Sequence, residues 1–333
     1  MDDRSYCLTI ADVANLLGIT KQGVSQLFKN KGAVKESRKL TYIKPVDIRN
    51  FLENSRNYKY NKQVIAFQLI KGGVGKSSLS KNIAIRASMY GYRTLLIDFD
   101  HQLNLTISMD AFNPDKPVWI DYLTKKVKDI NELVVPINDY LSIIPSSPTN
   151  CNLDKEILLN GTNLNSLIAE PLAELSKNYD LIICDCPPAL SMLTKAIYLA
   201  VDKIIAPIKP DIYSKIGLEQ VFQQWNDYTR EYRKKPDINI LVNLYDPRMK
   251  ASTEYLKTFF AEYSEYMIPN LIKYSAGFVS TMEGKEHLWS KKNANSTAAE
   301  ETDVVVKYIL NLFDLNLNNS KKQSENKEAE VNI

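Results

Sequence analysis

Near the start of the chain the apolar positions recur at helical spacing. Thr9 and Asp12 stand as a capping box with Asp in place of the longer Glu, ahead of Val13, Leu16 and Leu17 on one face. Gly18 breaks this helix, and Thr20 caps a second one, expected through Phe28 with Val24, Leu27 and Phe28 turned inward. Arg38–Ile43 alternates like a short strand or wing, and Pro45 suits the first turn of a third helix ending near Glu53. Helix, short glycine turn, helix predicts a small winged helix-turn-helix domain over residues 1–56. Residues 57–62 are polar without a period and read as a linker.

Beyond it the pattern changes. Val64–Ile70 is a continuous apolar run, as in a parallel strand covered on both faces. Strands then alternate with helices. Strands are expected at Thr94–Asp98, Tyr140–Ile144, Leu181–Asp185, Ile204–Ile208 and Ile238–Asn243. Helices are expected at Ser77–Tyr90, Leu164–Ser176, Ser214–Arg230 and Thr297–Phe313. This predicts an α/β domain over residues 63–315, a doubly wound, mostly parallel sheet of P-loop NTPase type. Residues 316–333, rich in Asn, Lys and Glu, read as a disordered tail.

Charge sharpens the division. The net charge of the 333 residues is only +3, yet residues 1–56 hold ten Lys/Arg against six Asp/Glu, so the remainder sums to −1. On the second helix Lys21, Gln22, Ser25 and Gln26 face outward, with Lys39 in the wing; such side chains reach base edges and phosphates. The four cysteines form no metal-binding spacing, and two histidines exclude a histidine-rich metal site. An acidic opening without an apolar run, and no stretch of membrane-spanning length, point to the cytoplasm and to no membrane partner.

The chemistry concentrates in Lys71-Gly72-Gly73-Val74-Gly75-Lys76-Ser77, between a buried strand and a helix. Glycines let backbone N–H groups approach phosphate oxygens, and the helix that follows presents its positive end. In such a loop Lys76 reaches the β/γ-phosphates and the Ser77 hydroxyl binds Mg²⁺. The full consensus asks for Gly at position 70, where this chain has Ile70. Asp98, Asp100 and Asp185 stand at strand C-termini, where ligands of such sheets sit. Asp98 and Asp185 read as metal-site carboxylates, and Asp100, two residues beyond Asp98 on an extended segment, can point the same way. ATP and Mg²⁺ are the cofactors this pattern predicts.

Lys71 beside the glycines, Asp98-x-Asp100-x-Gln102 with Asn104 and Thr106, and Asp185-Cys186-Pro187-Pro188 together resemble the ParA/MinD deviant-Walker ATPases. The resemblance runs from about Val64 to Phe313, and the family's usual Pro after the second Asp is replaced by His101. It implies that Lys71 reaches across a nucleotide-sandwich homodimer and that Asp100 activates water. It also places Ser78, Pro207 and Asn243 around the nucleotide, and Lys291 and Lys292 near non-specific DNA. With the N-terminal helices, the chain resembles the larger plasmid-partition members. That implies a nucleoid-associated motor stimulated by a ParB-type centromere-binding protein and a repressor of its own operon. An ATP-switched DNA-binding regulator without cargo is the alternative. A membrane-cycling relative would need an amphipathic terminal anchor, a cluster carrier suitably placed cysteines, and a tyrosine kinase a Tyr-rich tail. Residues 314–333 contain no Tyr.

Overall fold

The computed structural model describes residues 3–29, 34–36, 39–160, 164–282, 286–290, 293, 296–313 and 315. Lys291, Lys292, the Lys39 side chain and the expected tail at 316–333 lie outside them. The chain opens as β1 (Leu8–Thr9), α1 (Ile10–Leu17), α2 (Lys21–Leu27), β2 (Val34–Glu36), β3 (Lys39–Ile43) and α3 (Pro45–Arg56). The capping box forms as the spacing predicts. The Thr9 amide donates to Asp12 Oδ2 (2.9 Å), and the Asp12 amide donates to Thr9 Oγ1 (3.1 Å). Gly18 closes α1 in the left-handed region at φ 64°. Leu27, expected inside, is 41% exposed while Phe28 is buried. At about 100° per residue, position 28 falls closer than 27 to the face of buried Val24.

A seven-stranded sheet follows, in the order β10-β9-β4-β8-β5-β7-β6. Its strands are β4 (Gln63–Phe67), β5 (Thr94–Asp98), β6 (Val135–Asn138), β7 (Leu141–Ile144), β8 (Leu181–Asp185), β9 (Lys203–Ile208) and β10 (Asp237–Val242). All pair in parallel except β6, which runs antiparallel to β7. The helices are α4 (Lys76–Met89), α5 (Asn104–Ser108), α6 (Trp119–Leu123), α7 (Leu153–Asn160), α8 (Leu164–Leu175), α9 (Met192–Ala200), α10 (Ile212–Tyr232), α11 (Lys250–Tyr263), α12 (Ala276–Met282) and α13 (Thr297–Ile309). The strand expected to run to Ile70 ends at Phe67, because the chain must leave the sheet to form the loop ahead of α4. No helix of the described residues is long and apolar enough to cross a membrane.

The apolar runs of the central strands divide by alternation between two cores. Val64, Ala66, Ile182 and Cys184 face one, while Ile65, Phe67, Leu96 and Ile183 face the other. The second core continues without a break into Leu8, Val13, Leu16, Phe51 and Leu52 of the N-terminal helices. Polar contacts reinforce this junction. Arg86, 2% exposed near the end of α4, donates to Asp12 Oδ1 of α1 and to Asp303 Oδ1 of α13, both at 2.6 Å. Tyr90 donates its hydroxyl to Asp303, and Lys307 lies 2.9 Å from the same carboxylate. Arg49 of α3 donates to Gly91 O at 2.9 Å and to Asp180 at 2.5 Å. Residues 57–62 carry no helix or strand, but their tyrosines are anchored. Tyr60 donates to Tyr90 O, and Tyr58 donates to Leu310 O and shares a hydroxyl contact with Tyr92.

Candidate nucleotide site

The sheet order places the chemistry. β4 leads into the glycine loop, with β8 and β9 as its neighbours. The register sets Phe67 beside Asp185, and Asp185 beside Asp98. Three adjacent strands therefore end together, with the loop on one and a carboxylate on each of the other two.

The loop is built by backbone geometry. Gly73 and Gly75 have φ of 72° and 88°, in the left-handed region that side chains resist. At Gly75 space is closed as well, since a Cβ would come 2.4 Å from Asn243 Nδ2. Asn243, just past β10, donates that Nδ2 to Val74 O (2.8 Å) and buttresses the loop from within. Its Oδ1 is buried without a hydrogen-bond partner. Gly72 has open space around it, and Ser77 and Ser78 are half-buried on the first turn of α4. Pro207 lies buried inside β9, within the strand expected at Ile204–Ile208 and in register with Leu241. Its missing N–H falls on the β4 side, beyond the last β4 pair at Phe67 and Ile205, where no ladder bond is lost.

The two lysines of the loop part company. Lys76 is nearly buried and folds back, its Nζ donating to Leu69 O (3.2 Å) and Lys71 O (3.1 Å). Burial lowers its pKa, against the opposing charges of Asp185, Cys186 and Asp100. An ammonium held over the loop by carbonyls is placed to meet an anion there. Lys71, expected to project away from its subunit, instead pairs at 2.5 Å with Asp211 of the same chain. It also lies 5.7 Å from the centre of the Tyr213 ring. Asp211 N-caps α10, accepting from the Ser214 amide at 2.8 Å. Burial raises the Asp211 pKa, but the bonds from Lys71 and Ser214 outweigh it and hold the carboxyl low. Sequence reasoning missed Asp211, although Asp-x-x-Ser after Pro210 is a helix-start signal.

The carboxylates differ in how they are satisfied. Asp98 accepts the Asp100 amide on Oδ1 (3.0 Å) and both the amide and hydroxyl of Thr106 on Oδ2 (2.9 and 2.7 Å). Asp185, fully buried, accepts a long bond from Ser80 Oγ (3.4 Å) on Oδ1, while Oδ2 has no partner. Burial pushes both acids up, and each one's charge opposes ionisation of its neighbours. A site with clustered acids and one orphaned buried oxygen fits a bound cation. Among the described residues no group of His, Cys, Asp and Glu forms a metal cage by itself. Mg²⁺ takes one or two carboxylates and completes its shell with water and phosphate. Asp100, 6% exposed, accepts the Gln102 amide on Oδ1 and faces the same strand ends.

The sequence-predicted DNA residues lie far from this cluster in the chain. Lys21, Gln22 and Gln26 are exposed on α2, whereas Ser25 bonds back to the Lys21 carbonyl at 3.0 Å. Cys184 and Cys186 are buried and unbridged, which suits packing rather than a cluster.

Residues 62–240 match the family model described as an AAA domain. The chain is 26% identical over 311 residues to the cell division protein PomZ of Myxococcus xanthus, covering 89% of this chain and 92% of that protein. It is 28% identical over 224 residues to the chromosome partitioning protein ParA of the same organism, covering 64% of this chain and 77% of that protein. In fold it matches a putative plasmid partition protein of Borrelia burgdorferi bound to AMPPNP, with a TM-score of 0.62 at 21% identity, over 75% of this chain and 99% of that one. Family match, sheet order and a phosphate loop with a second lysine agree, and the chain belongs to the ParA/MinD family of P-loop ATPases.

Proposed function

We propose that this protein is a Mg²⁺-dependent ATPase that segregates DNA, as a plasmid or chromosome partition motor active as an ATP-bound dimer. The observation that carries the reading is the division of labour between the two loop lysines. Lys76 lies over its own loop, where the phosphates of its own nucleotide arrive. Lys71 sits at the rim on a single carboxylate, an anion that a γ-phosphate can replace. Around that rim Ile212, Tyr213 and Ile216 expose apolar surface, with Tyr213 69% exposed. Such a patch suits a second copy. Two cations on one phosphate tail repel, whereas one from each subunit neutralises γ-phosphate charge as an arginine finger does. ATP then favours the dimer because only it offers a γ-phosphate to both chains.

Ser77 and Asp185 would hold Mg²⁺, whereas Asp98, read from the sequence as a further metal carboxylate, spends both oxygens on Asp100 and Thr106 and orients the loop beside them. When bound, the metal neutralises charge on the β- and γ-oxygens. Asp100 positions the attacking water. Asp100→Ala should therefore bind ATP with near-normal affinity and hydrolyse it at least about a hundredfold more slowly, the lower end of what such a base contributes. Nucleotide titration alongside phosphate release checks this, and unchanged turnover would move the role elsewhere.

The N-terminal helices form the helix-turn-helix operator reader, with Lys21, Gln22 and Gln26 as its contact face. Non-specific DNA is held by the dimer, with Lys291 and Lys292 contributing, and a ParB-type partner stimulates hydrolysis. The contact of α1 with α4 through Asp12 and Arg86 favours a second reading, an ATP-switched regulator without cargo. Stimulation of hydrolysis by a DNA-bound partner discriminates the two.

Lys71→Ala should retain ATP as a monomer and lose ATP-induced dimerisation, non-specific DNA binding and stimulated hydrolysis together. Light scattering with a slowly hydrolysed analogue reads the first. DNA binding to the protein's own upstream sequence and to random duplex, without nucleotide, with ADP and with ATP across salt, reads the second. A wild-type dimer in the variant rules out action in trans.

A further inference from the structure

Helix α4 carries another buried lysine whose side chain turns away from the phosphate loop. Lys81 is 1% exposed, and its Nζ donates to Ser108 O at 2.7 Å and to Thr281 O at 2.6 Å. These carbonyls close two short helices, α5 and α12. Carbonyls in a last helical turn lack intrahelical partners and carry the negative end of the dipole, so a cation is favourable there. Burial nevertheless opposes the charge and pushes the Lys81 ammonium down to about 8, with Glu286 acting against it. An apolar side chain of similar length would fill this space without that opposition. Packing alone therefore does not account for a lysine here.

What α5 is attached to does account for it. This helix follows the carboxylate loop, and its Thr106 gives both amide and hydroxyl to Asp98 Oδ2. Asp98 Oδ1 in turn holds the Asp100 amide. A continuous path thus runs from the Lys81 ammonium through Ser108 and about half a turn of helix to Thr106, Asp98 and the backbone of Asp100. On α4 the same lysine follows Lys76 and Ser77 within the next turn and a half. The adjacent Asn82 bonds Ser78 O at 2.8 Å and Thr281 Oγ1 at 3.3 Å, so the second acceptor helix is tied to the same place.

We propose that Lys81 is a positioning residue for hydrolysis, holding α5 and with it the Asp98–Asp100 loop in register with the phosphate loop. The inference rests on the reading of Asp100 as the carboxylate that positions water. α12 shares the anchoring cation, so displacement of that helix changes the same register.

Lys81→Met keeps an unbranched side chain, one atom shorter, and removes the donor. In the full-length protein with Mg²⁺, kcat is expected to fall at least tenfold. The Kd for a fluorescent, slowly hydrolysed ATP analogue should change less than twofold. A merely structural lesion would move both together. Thr106→Val and the double variant complete a cycle. Because both residues act along one path, the double variant should be no slower than the slower single one. Unchanged kcat in Lys81→Met, a parallel loss of analogue affinity, or losses that multiply in the double variant would each overturn the proposal. Should Lys81→Met not fold, Lys81→Leu, which likewise lacks a donor, goes through the same cycle with the same criteria. Asp100→Ala separates the two failures. Wild-type turnover in that variant refutes the role of Asp100, whereas turnover lost there and kept in Lys81→Met refutes Lys81 alone.

Discussion

Lys76→Ala is expected to abolish productive ATP–Mg²⁺ binding and with it all measurable hydrolysis. The ammonium rests on two carbonyls of its own loop, so its position is set before any phosphate arrives. A charge-assisted bond contributes about 1.5–3 kcal/mol, and a phosphate tail offers this lysine more than one such bond. An affinity loss of ~100-fold or more follows, since about 1.4 kcal/mol corresponds to tenfold. The same substitution removes a cation from beside Asp185 and Asp100, whose charges now oppose burial at Lys76. Asp185 would then ionise less readily, and a metal ion would meet a poorer ligand there. Folding should survive, because the variant also loses a charge that burial disfavours. Titration with a fluorescent ATP analogue and a phosphate-release assay measure both effects. Normal hydrolysis by a folded variant would refute the site.

The second large effect is expected at Arg86, where stability rather than binding is at stake. Its guanidinium is buried between Asp12 and Asp303, and it lies 5.0 Å from the centres of the Tyr90 and Trp289 rings. Arg86→Ala leaves Asp303 with Lys307 and strips Asp12 of its cation. Removing one partner of a buried pair costs about 3–5 kcal/mol. Thermal unfolding should fall by roughly 10 °C, taking about 2–4 °C per kcal/mol for a chain of this size. Both carboxylates are held below the ordinary range, because the Arg86 interactions outweigh the burial that would raise them. A depressed carboxylate contributes stability above its unfolded pKa and loses it as pH falls through the folded one. The difference between wild type and Arg86→Ala should therefore be full at neutral pH and shrink below about pH 4. Thermal scans at neutral and acid pH test this, and an unfolding midpoint unchanged at neutral pH would show that the junction does not depend on the ion pairs. The shared apolar core carries a related expectation, since removing residues 1–56 would bare Leu16 and Phe51 contacts on the motor as well as Arg86.

Much of this molecule was legible in its sequence because the signals were local. β5 and β8 lie at Thr94–Asp98 and Leu181–Asp185, where continuous apolar runs end in Asp. The loop glycines, the capping box at Thr9 and Asp12, and the strand-end carboxylates likewise depend on neighbours in sequence. Helices α7, α9 and α11 were not foreseen. Nor was the end of β4 at Phe67, which leaves the stretch of β9 that holds Pro207 unpaired on that side.

Helix α4 shows the boundary most clearly. Most of its residues are buried, Lys81 and Arg86 among them, so it has no polar face for a periodicity to reveal. The partners of those two cations come from α1, α5, α12 and α13, as far as 217 residues away in the chain. A buried charge is tolerated only where such partners converge, and convergence is a property of the packed sheet and helices. Sequence alone determined the phosphate loop, the three carboxylates and the alternation of strands and helices, because each follows from residues within a few positions of one another. Tertiary structure alone decided which anion holds Lys71, what Lys81 and Arg86 grip, and that the N-terminal helices share a core with the seven-stranded sheet, because those contacts exist only once distant segments are brought together.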